Sequence, residues 1–397
     1  MKTKLLFIAF LSVTFITNAQ WTQTSALGTG SVPVLALQSN GTNLFAGTDG
    51  EGVFLTTNNG SSWTAVNNGL TALSVFSFAV SGTNLFAGTN GGVFLSTNNG
   101  NSWTAVNNGL IITGINSLAF NGTNLFAATY LNGVFLSTNN GSSWIAVNNG
   151  LTGWGQAVFE LAVSGTNLFA GTFAGVFLST NNGSSWSVMN NGLTDTTVIS
   201  FAINGTNIFA GTNGGAFLTT NNGNSWTGVN NGLTITDIWS LALSGTNLFA
   251  GTDDGVSLSS NNGNSWTSVN TGLTDTLVRP LAINGTNLFA GTYGGKVFMN
   301  TTILSGINEE ANDNLQVSVY PNPITNGENI FTISTGVLLK NAQINIYNIL
   351  GKPIYSENIF NTSTKEIDLK NISSGIYFVK VKNGDKQYCK KLIVERN

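Results

Sequence analysis

The sequence predicts an all-β chain built of repeated four-strand units, and three observations carry that prediction. The motif [Ser/Thr]-x-Asn-Asn-Gly-x-Ser-Trp occurs six times, ending at Trp63, Trp103, Trp144, Trp186, Trp226 and Trp266, with spacings of 40, 41, 42, 40 and 40 residues. A second signature, Gly-Thr-Asn-(Leu/Ile)-Phe-Ala, occurs seven times, starting at Gly41, Gly82, Gly122, Gly165, Gly205, Gly245 and Gly285. Between the signatures apolar residues alternate with period two, separated by Ser-Gly, Gly-Gly and Asn-Asn-Gly turns, and no segment before residue 300 shows helical periodicity. Repeats of about 40 residues that each hold several short strands specify a β-propeller.

Each unit supplies strands A to D, which in the second unit are residues 77–81, 84–89, 93–97 and 102–106. The two signatures differ in number by one. The seventh unit, residues 281–299, has strands A, B and C but lacks the Asn-Asn-Gly-x-Ser-Trp segment. Its missing strand D is supplied by Trp21-Thr22-Gln23, which reads like Trp103-Thr104-Ala105. Pairing the first strand with the last unit closes the ring and removes an exposed sheet edge. The expectation is therefore a seven-bladed propeller with an N-terminal closing strand over residues 20–302.

The Asn-Asn-Gly-x-Ser-Trp motif resembles the Asp-box, Ser-x-Asp-x-Gly-x-x-Trp, of sialidase-like (BNR-repeat) propellers. The departure is uniform: Asn58, Asn98, Asn139, Asn181, Asn221 and Asn261 stand where that family has Asp. Asn there bonds its own turn and tolerates left-handed backbone, while Gly60, Gly100, Gly141, Gly183, Gly223 and Gly263 take the tightest position. The resemblance implies a structural turn between strands C and D, away from the ligand face, with each Trp packed between neighbouring sheets.

The ends of the chain differ from the repeats. Residues 1–19 combine Lys2 and Lys4, an apolar stretch over 5–16, and Thr17-Asn18-Ala19, the pattern of a secretory signal peptide with the mature chain starting at Gln20. No other segment is long and apolar enough to span a membrane. The single Cys389 allows no internal disulfide. Ten of the 14 Lys and Arg residues lie beyond residue 302. A polar link at 303–314 leads to alternating apolar runs that predict a small immunoglobulin-like antiparallel sandwich over 315–397. Tyr320-Pro321-Asn322-Pro323, the central run ending at Gly351-Lys352, the strand from Gly375 through Tyr377 and the terminal Lys390-Lys391-Leu392-Ile393-Val394 closely resemble the type A C-terminal sorting domain of the type IX secretion system of Bacteroidetes. That resemblance implies the type IX machinery as a partner, and an address that is secreted or attached to the outer-membrane surface after periplasmic transit.

Propeller geometry sends the A–B and C–D turns to one face and the B–C and D–A loops to the other. The first set is nearly invariant from copy to copy, while the second set diverges, and it carries seven of the eight acidic residues between 21 and 302: Asp49, Glu51, Asp195, Asp237, Asp253, Asp254 and Asp275. The eighth, Glu160, starts a strand A near the same end, and Arg279 and Lys296 sit there too. Solvated loops diverge for reasons unrelated to ligands. The sharper expectation is a ligand surface on which Tyr130, Trp154, Phe173, Trp239 and Tyr293, with Asp49, Asp237, Asp253, Asp254 and Arg279, contact a glycan or a protein.

Other classes fit less well. The propeller has no His and no Cys, which excludes His-based triads, thiol nucleophiles and His-ligated metal sites there. One arginine cannot form the three-arginine clamp that the sialidase resemblance would require. Two carboxylates suffice for glycoside hydrolysis, and a polysaccharide-active hydrolase or lyase using a pair drawn from Asp49, Asp237, Asp253 and Asp254 stays open, although glycine-flanked loops offer little burial to raise an acid. With 2 positive and 8 negative side chains the propeller is net −6, which opposes binding to a phosphate backbone. No cofactor is called for; a structural calcium at Asp253-Asp254 is the one ion site considered. Only 8% of the chain is charged, which fits a crowded extracellular surface and admits a structural surface-layer or assembly role.

Overall fold

The computed structural model describes residues 20–301 except 112–113, and 317–395 except 326–329, 340–341, 349–351, 370–371 and 384–385. The expected signal peptide (1–19) and link (303–314), with Ile112 and Gly351, lie outside these residues. The chain divides into two compact units, Met1–Leu304 and Ser305–Asn397.

In the first unit the strands form seven four-stranded antiparallel sheets. Six are sequential, as in Val34–Asn40, Asn43–Thr48, Val53–Thr56 and Thr64–Ala65. In the seventh, Trp21–Gln23 takes the outermost place beside Val297–Asn300, with Trp21 opposite Asn300 and Gln23 opposite Phe298. Inner strands A of successive sheets contact one another, and the strand of the seventh sheet contacts that of the first, so the cycle is closed. Strand B is the centre of each sheet: in Asn-Leu-Phe-Ala-Gly-Thr every residue after the Asn is buried. Its Leu and Phe point to opposite faces, so each sheet feeds the apolar layer on both of its sides. Strand D is shorter than the sequence suggests, only Thr104–Ala105 in the second sheet. Among the described residues of this unit the one helical element is a 3-10 turn, Gly153–Gln156, where a long D–A loop folds on itself.

Each Asn-Asn-Gly-x-Ser-Trp segment is a closed hydrogen-bonded turn. In the second sheet Asn98 Oδ1 accepts from Ser96 Oγ at 2.9 Å and from Ser102 N at 2.9 Å, while Asn98 Nδ2 donates to Ser102 Oγ at 2.9 Å. Gly100 N donates to Ser96 Oγ at 2.8 Å. The left-handed residue is the second asparagine, Asn99 at φ 56°, not Asn98 as the sequence reading has it. Asn98 must aim its side chain back over the turn, so the adjacent residue and Gly100 absorb the reversal. The Trp then joins two sheets: Trp103 Nε1 donates to Val66 O at 2.8 Å, and Trp144 Nε1 to Val106 O at 2.8 Å.

The second unit packs a three-stranded and a four-stranded antiparallel sheet around one apolar core that includes Phe331, Ile344, Ile346, Val379 and Leu392. The peptide bonds before Pro321 and Pro323 are cis. Between them Asn322 donates from Nδ2 to Lys391 O at 2.7 Å and accepts at Oδ1 from Ile393 N at 2.9 Å. Those two bonds stitch the Tyr-Pro-Asn-Pro start to the terminal strand. Tyr320 stays half-exposed, and the Tyr377 hydroxyl donates to Ser373 O at 2.9 Å.

Candidate functional site

Backbone bonds tie the two divergent loop sets to one end of the ring. Gly50 N and Gly52 N donate to Leu73 O, Gly133 N to Gln156 O, and Gly255 N to Thr276 O. Each bond joins a B–C loop to a D–A loop.

At this end the inner strands carry a repeated irregularity. The pairing register slips after Val34, Val75, Ile115, Val158, Val198 and Val278, leaving an extra residue at the second position of strand A. A bulge of this kind re-aims a side chain. The residues so placed are Leu35, Phe76, Asn116, Phe159, Ile199 and Arg279, and Trp239 holds the equivalent position in the sixth sheet; all line an axial cavity of about 640 Å³. The anchoring first position is always Val or Ile, buried with 0% exposure in every sheet, while the second is different almost every time. This hidden variability escaped the loop-based sequence reading, although comparing the copies within strand A would have found it.

The five predicted aromatics fall into two groups on the cavity rim. Phe173 is the hub of the first: its ring centroid lies 4.5 Å from Phe159, 5.8 Å from Trp154 and 6.4 Å from Tyr130, all edge-to-face. Trp154 is 66% exposed and Tyr130 46%, with Phe173 half-buried beneath them. The aromatic path thus runs from the solvent edge through Phe173 to Phe159 in the cavity wall.

The second group is a knot around Arg279. The guanidinium carbon sits 3.9 Å from the centroid of Trp239 and 5.4 Å from that of Tyr293. Asp253 Oδ1 accepts from Arg279 Nη1 at 2.5 Å and from Trp239 Nε1 at 2.9 Å. One face of Trp239 is thereby covered and its N–H is already engaged, so it is half-buried scaffold instead of the open stacking plane expected from sequence. Tyr293 remains 52% exposed.

The predicted carboxylates are held by local partners. Asp49 accepts from Ser74 Oγ at 2.7 Å and Asp254 from Thr234 Oγ1 at 3.2 Å, each held within its own loop pair. Asp237 is half-buried beside Ile238 at the start of the sixth inner strand. Among the described residues no three His, Cys, Asp or Glu side chains are grouped to hold a metal ion. With Asp253 committed to Arg279, the Asp253-Asp254 pair does not fit calcium.

The perturbed acid is elsewhere. Glu160, at the third position of its inner strand, lines the cavity, and burial pushes its carboxyl up to about 8 against the opposing effect of the Phe201 N–H. That N–H donates to Glu160 Oε2 at 2.7 Å. The other sheets show what the position does: Ser77 Oγ donates to Ile115 O at 3.2 Å, and Ser117 Oγ accepts from Leu161 N at 3.1 Å. In the second, third and fifth sheets the third residue, Ser77, Ser117 or Ser200, is a staple to the next inner strand, and Glu160 in the fourth makes the same staple with a longer arm.

The family comparisons agree with this architecture. A model described as the DUF6242 beta propeller domain matches residues 16–153, and one described as the secretion system C-terminal sorting domain matches residues 318–395. The chain is a β-propeller with a secretion-system sorting domain. In this exported propeller the C-terminal unit directs handling by the type IX machinery, to the cell surface or the medium. No helix among the described residues is long and apolar enough to cross a membrane.

No curated protein matches the propeller chain in sequence. Among solved structures it is similar to the extracellular domain of the putative hybrid two component system BT3049 from B. thetaiotaomicron, at TM-score 0.62 and 15% identity over 95% of this chain and 58% of that one. It is also similar to PorZ, a surface component of the type-IX secretion system of Porphyromonas gingivalis, at TM-score 0.54 and 16% identity over 91% of this chain and 59% of that one. The GH74 xyloglucanase of Xanthomonas campestris gives TM-score 0.58 and 12% identity over 94% of this chain and 69% of that one. The chain therefore spans under three-fifths of the first two neighbours, and at these identities the likeness is one of fold.

Proposed function

We propose that this exported propeller is a non-catalytic binding protein at or beyond the cell surface, taking a glycan or a protein on its B–C/D–A loop face. Residues 1–19 act as its signal peptide for passage through the periplasm, and the sorting domain completes export. The observation that carries the reading is the Trp154–Tyr130–Phe173 cluster. A tryptophan two-thirds exposed, held by edge-to-face contacts on the one face where the copies diverge, is a costly surface feature for a protein that binds nothing. Tyr293 and the Arg279 knot extend the surface across the cavity mouth.

The test is binding of the full chain to panels of bacterial and plant glycans and of peptides, beside Trp154→Ala. Binding that this variant loses at unchanged thermal stability supports the reading. Binding that it retains places the ligand elsewhere.

One observation favours a second reading. Glu160 is a cavity carboxyl with its pKa raised to about 8, the property of a general acid, and the fold neighbours include a GH74 xyloglucanase. Hydrolysis would require release of reducing ends from a soluble polysaccharide, abolished by Glu160→Gln. The staple role that Glu160 shares with the serines of other sheets supports the non-catalytic alternative.

A further inference from the structure

Charge is distributed around the ring in a way the repeats do not require. Over residues 52–194 the sequence contains a single charged side chain, Glu160, and that one is withdrawn into the cavity wall. The B–C loops of the second, third and fourth sheets, and the D–A loops that lead into them, are therefore uncharged. Their exposed large apolar side chains are Leu73 at 38%, Ile111 at 55%, Tyr130 at 46%, Leu131 at 53% and Trp154 at 66%. Because successive sheets are neighbours, these side chains follow one another along one arc of the face. The loops of the remaining four sheets carry all seven loop carboxylates against Arg279 and Lys296, 7 − 2, a net −5.

Contiguous exposed apolar surface on a soluble domain marks an interaction site. Its composition bears on what covers it. Leu73, Ile111 and Leu131 have no flat ring to offer a sugar, while branched aliphatics bury well against aliphatic and aromatic side chains. The neighbouring negative arc attracts Lys and Arg and repels acidic surfaces. A second copy presenting the same face would set −5 against −5.

Resting on the loop face as the binding face, we infer that its partner is a polypeptide segment of another protein carrying apolar side chains next to Lys or Arg. The apolar part lies on the arc of sheets two to four, and the basic part on the arc of sheets five to seven and one. Trp154 and Leu131 anchor the first, and Asp237 and Asp254 steer the second.

The experiment is selection of a displayed library of short random peptides on the full chain, followed by calorimetry of a selected peptide with wild type, Leu131→Ser and Asp237→Asn/Asp254→Asn, each checked for unchanged thermal stability. The expected result is enrichment of Trp, Leu or Ile beside Lys or Arg. Affinity should fall about tenfold between low and high salt. Leu131→Ser should weaken binding about tenfold with the salt dependence kept, and the double Asn variant should flatten that dependence. Enrichment of acidic peptides, or unchanged binding by Leu131→Ser, overturns the inference. Failure of the selection while wild type binds a glycan through Trp154 overturns the polypeptide partner alone. Failure with both probe classes overturns the binding face as well.

Discussion

The indole N–H of Trp21 donates to the carbonyl of Val269 across 2.6 Å, joining the N-terminal strand to the sheet that precedes the closing one. It is the same link that Trp103 makes to Val66 and Trp266 to Val229, formed here by residues 248 positions apart. Trp21 is 1% exposed and packs with Phe249, Val256 and Phe298. Trp21→Ala is expected to cost about 3–5 kcal/mol, and Trp21→Phe, which keeps most of the burial, about 1–2 kcal/mol. Urea unfolding checks both: a Trp21→Phe protein as stable as wild type would contradict the hydrogen bond's contribution, and equal costs for the two would contradict the contribution of burial.

Glu160 sets a pH dependence. The folded chain holds its proton up to about 8, whereas the ordinary value is 4.5. Between those limits the native state binds a proton that the unfolded state has released, so stability falls as pH rises and levels off above the upper limit. The drop is on the order of a few kcal/mol. Glu160→Gln, which still accepts from Phe201 N, should remove this fall and be the more stable protein at about pH 9. Denaturation midpoints across that range decide it; parallel profiles for the two proteins would sink the assignment.

The Arg279 knot is preformed. Asp253→Ala leaves the guanidinium and the Trp239 N–H without their shared acceptor, an expected cost of about 1–2 kcal/mol because the pair is partly exposed. Arg279→Lys loses the flat stack on Trp239 while keeping the charge. Both should change the tryptophan emission spectrum, and no change in either would show that the stacking is not maintained in solution.

The asparagine turns tolerate one substitution and not another. Asn98→Asp keeps the acceptor for Ser102 N and Ser96 Oγ, and Ser102 Oγ can turn to donate, so a change within about 0.5 kcal/mol is expected. Asn98→Ala loses all three bonds, at about 1–2 kcal/mol. A large loss for the Asp variant would mean that the Asn98 Nδ2 donor is essential.

These cases show where sequence reasoning reached and where it stopped. The strand order was legible because the repeat marks each turn with Gly and Asn, and even the outer strand of the closing sheet is readable in Trp21-Thr22-Gln23. The loop face was legible because near-identical copies diverge there. The bulged second position of strand A was not, since alternation alone hides a one-residue slip between Val158 and Glu160. Nor could sequence separate Trp154, open to solvent, from Trp239, capped by Arg279. Both are loop-edge tryptophans, and only the fold brings a guanidinium from 40 residues further along the chain over one of them.

The central claim is that the divergent loop face is where this exported propeller meets its ligand. It is tested most directly by equilibrium binding of the library-selected peptides to the full chain, wild type against Tyr130→Ser/Trp154→Ser, with matched thermal stability. The account predicts that the double variant loses binding by at least about tenfold. Undiminished affinity in a folded double variant would contradict it.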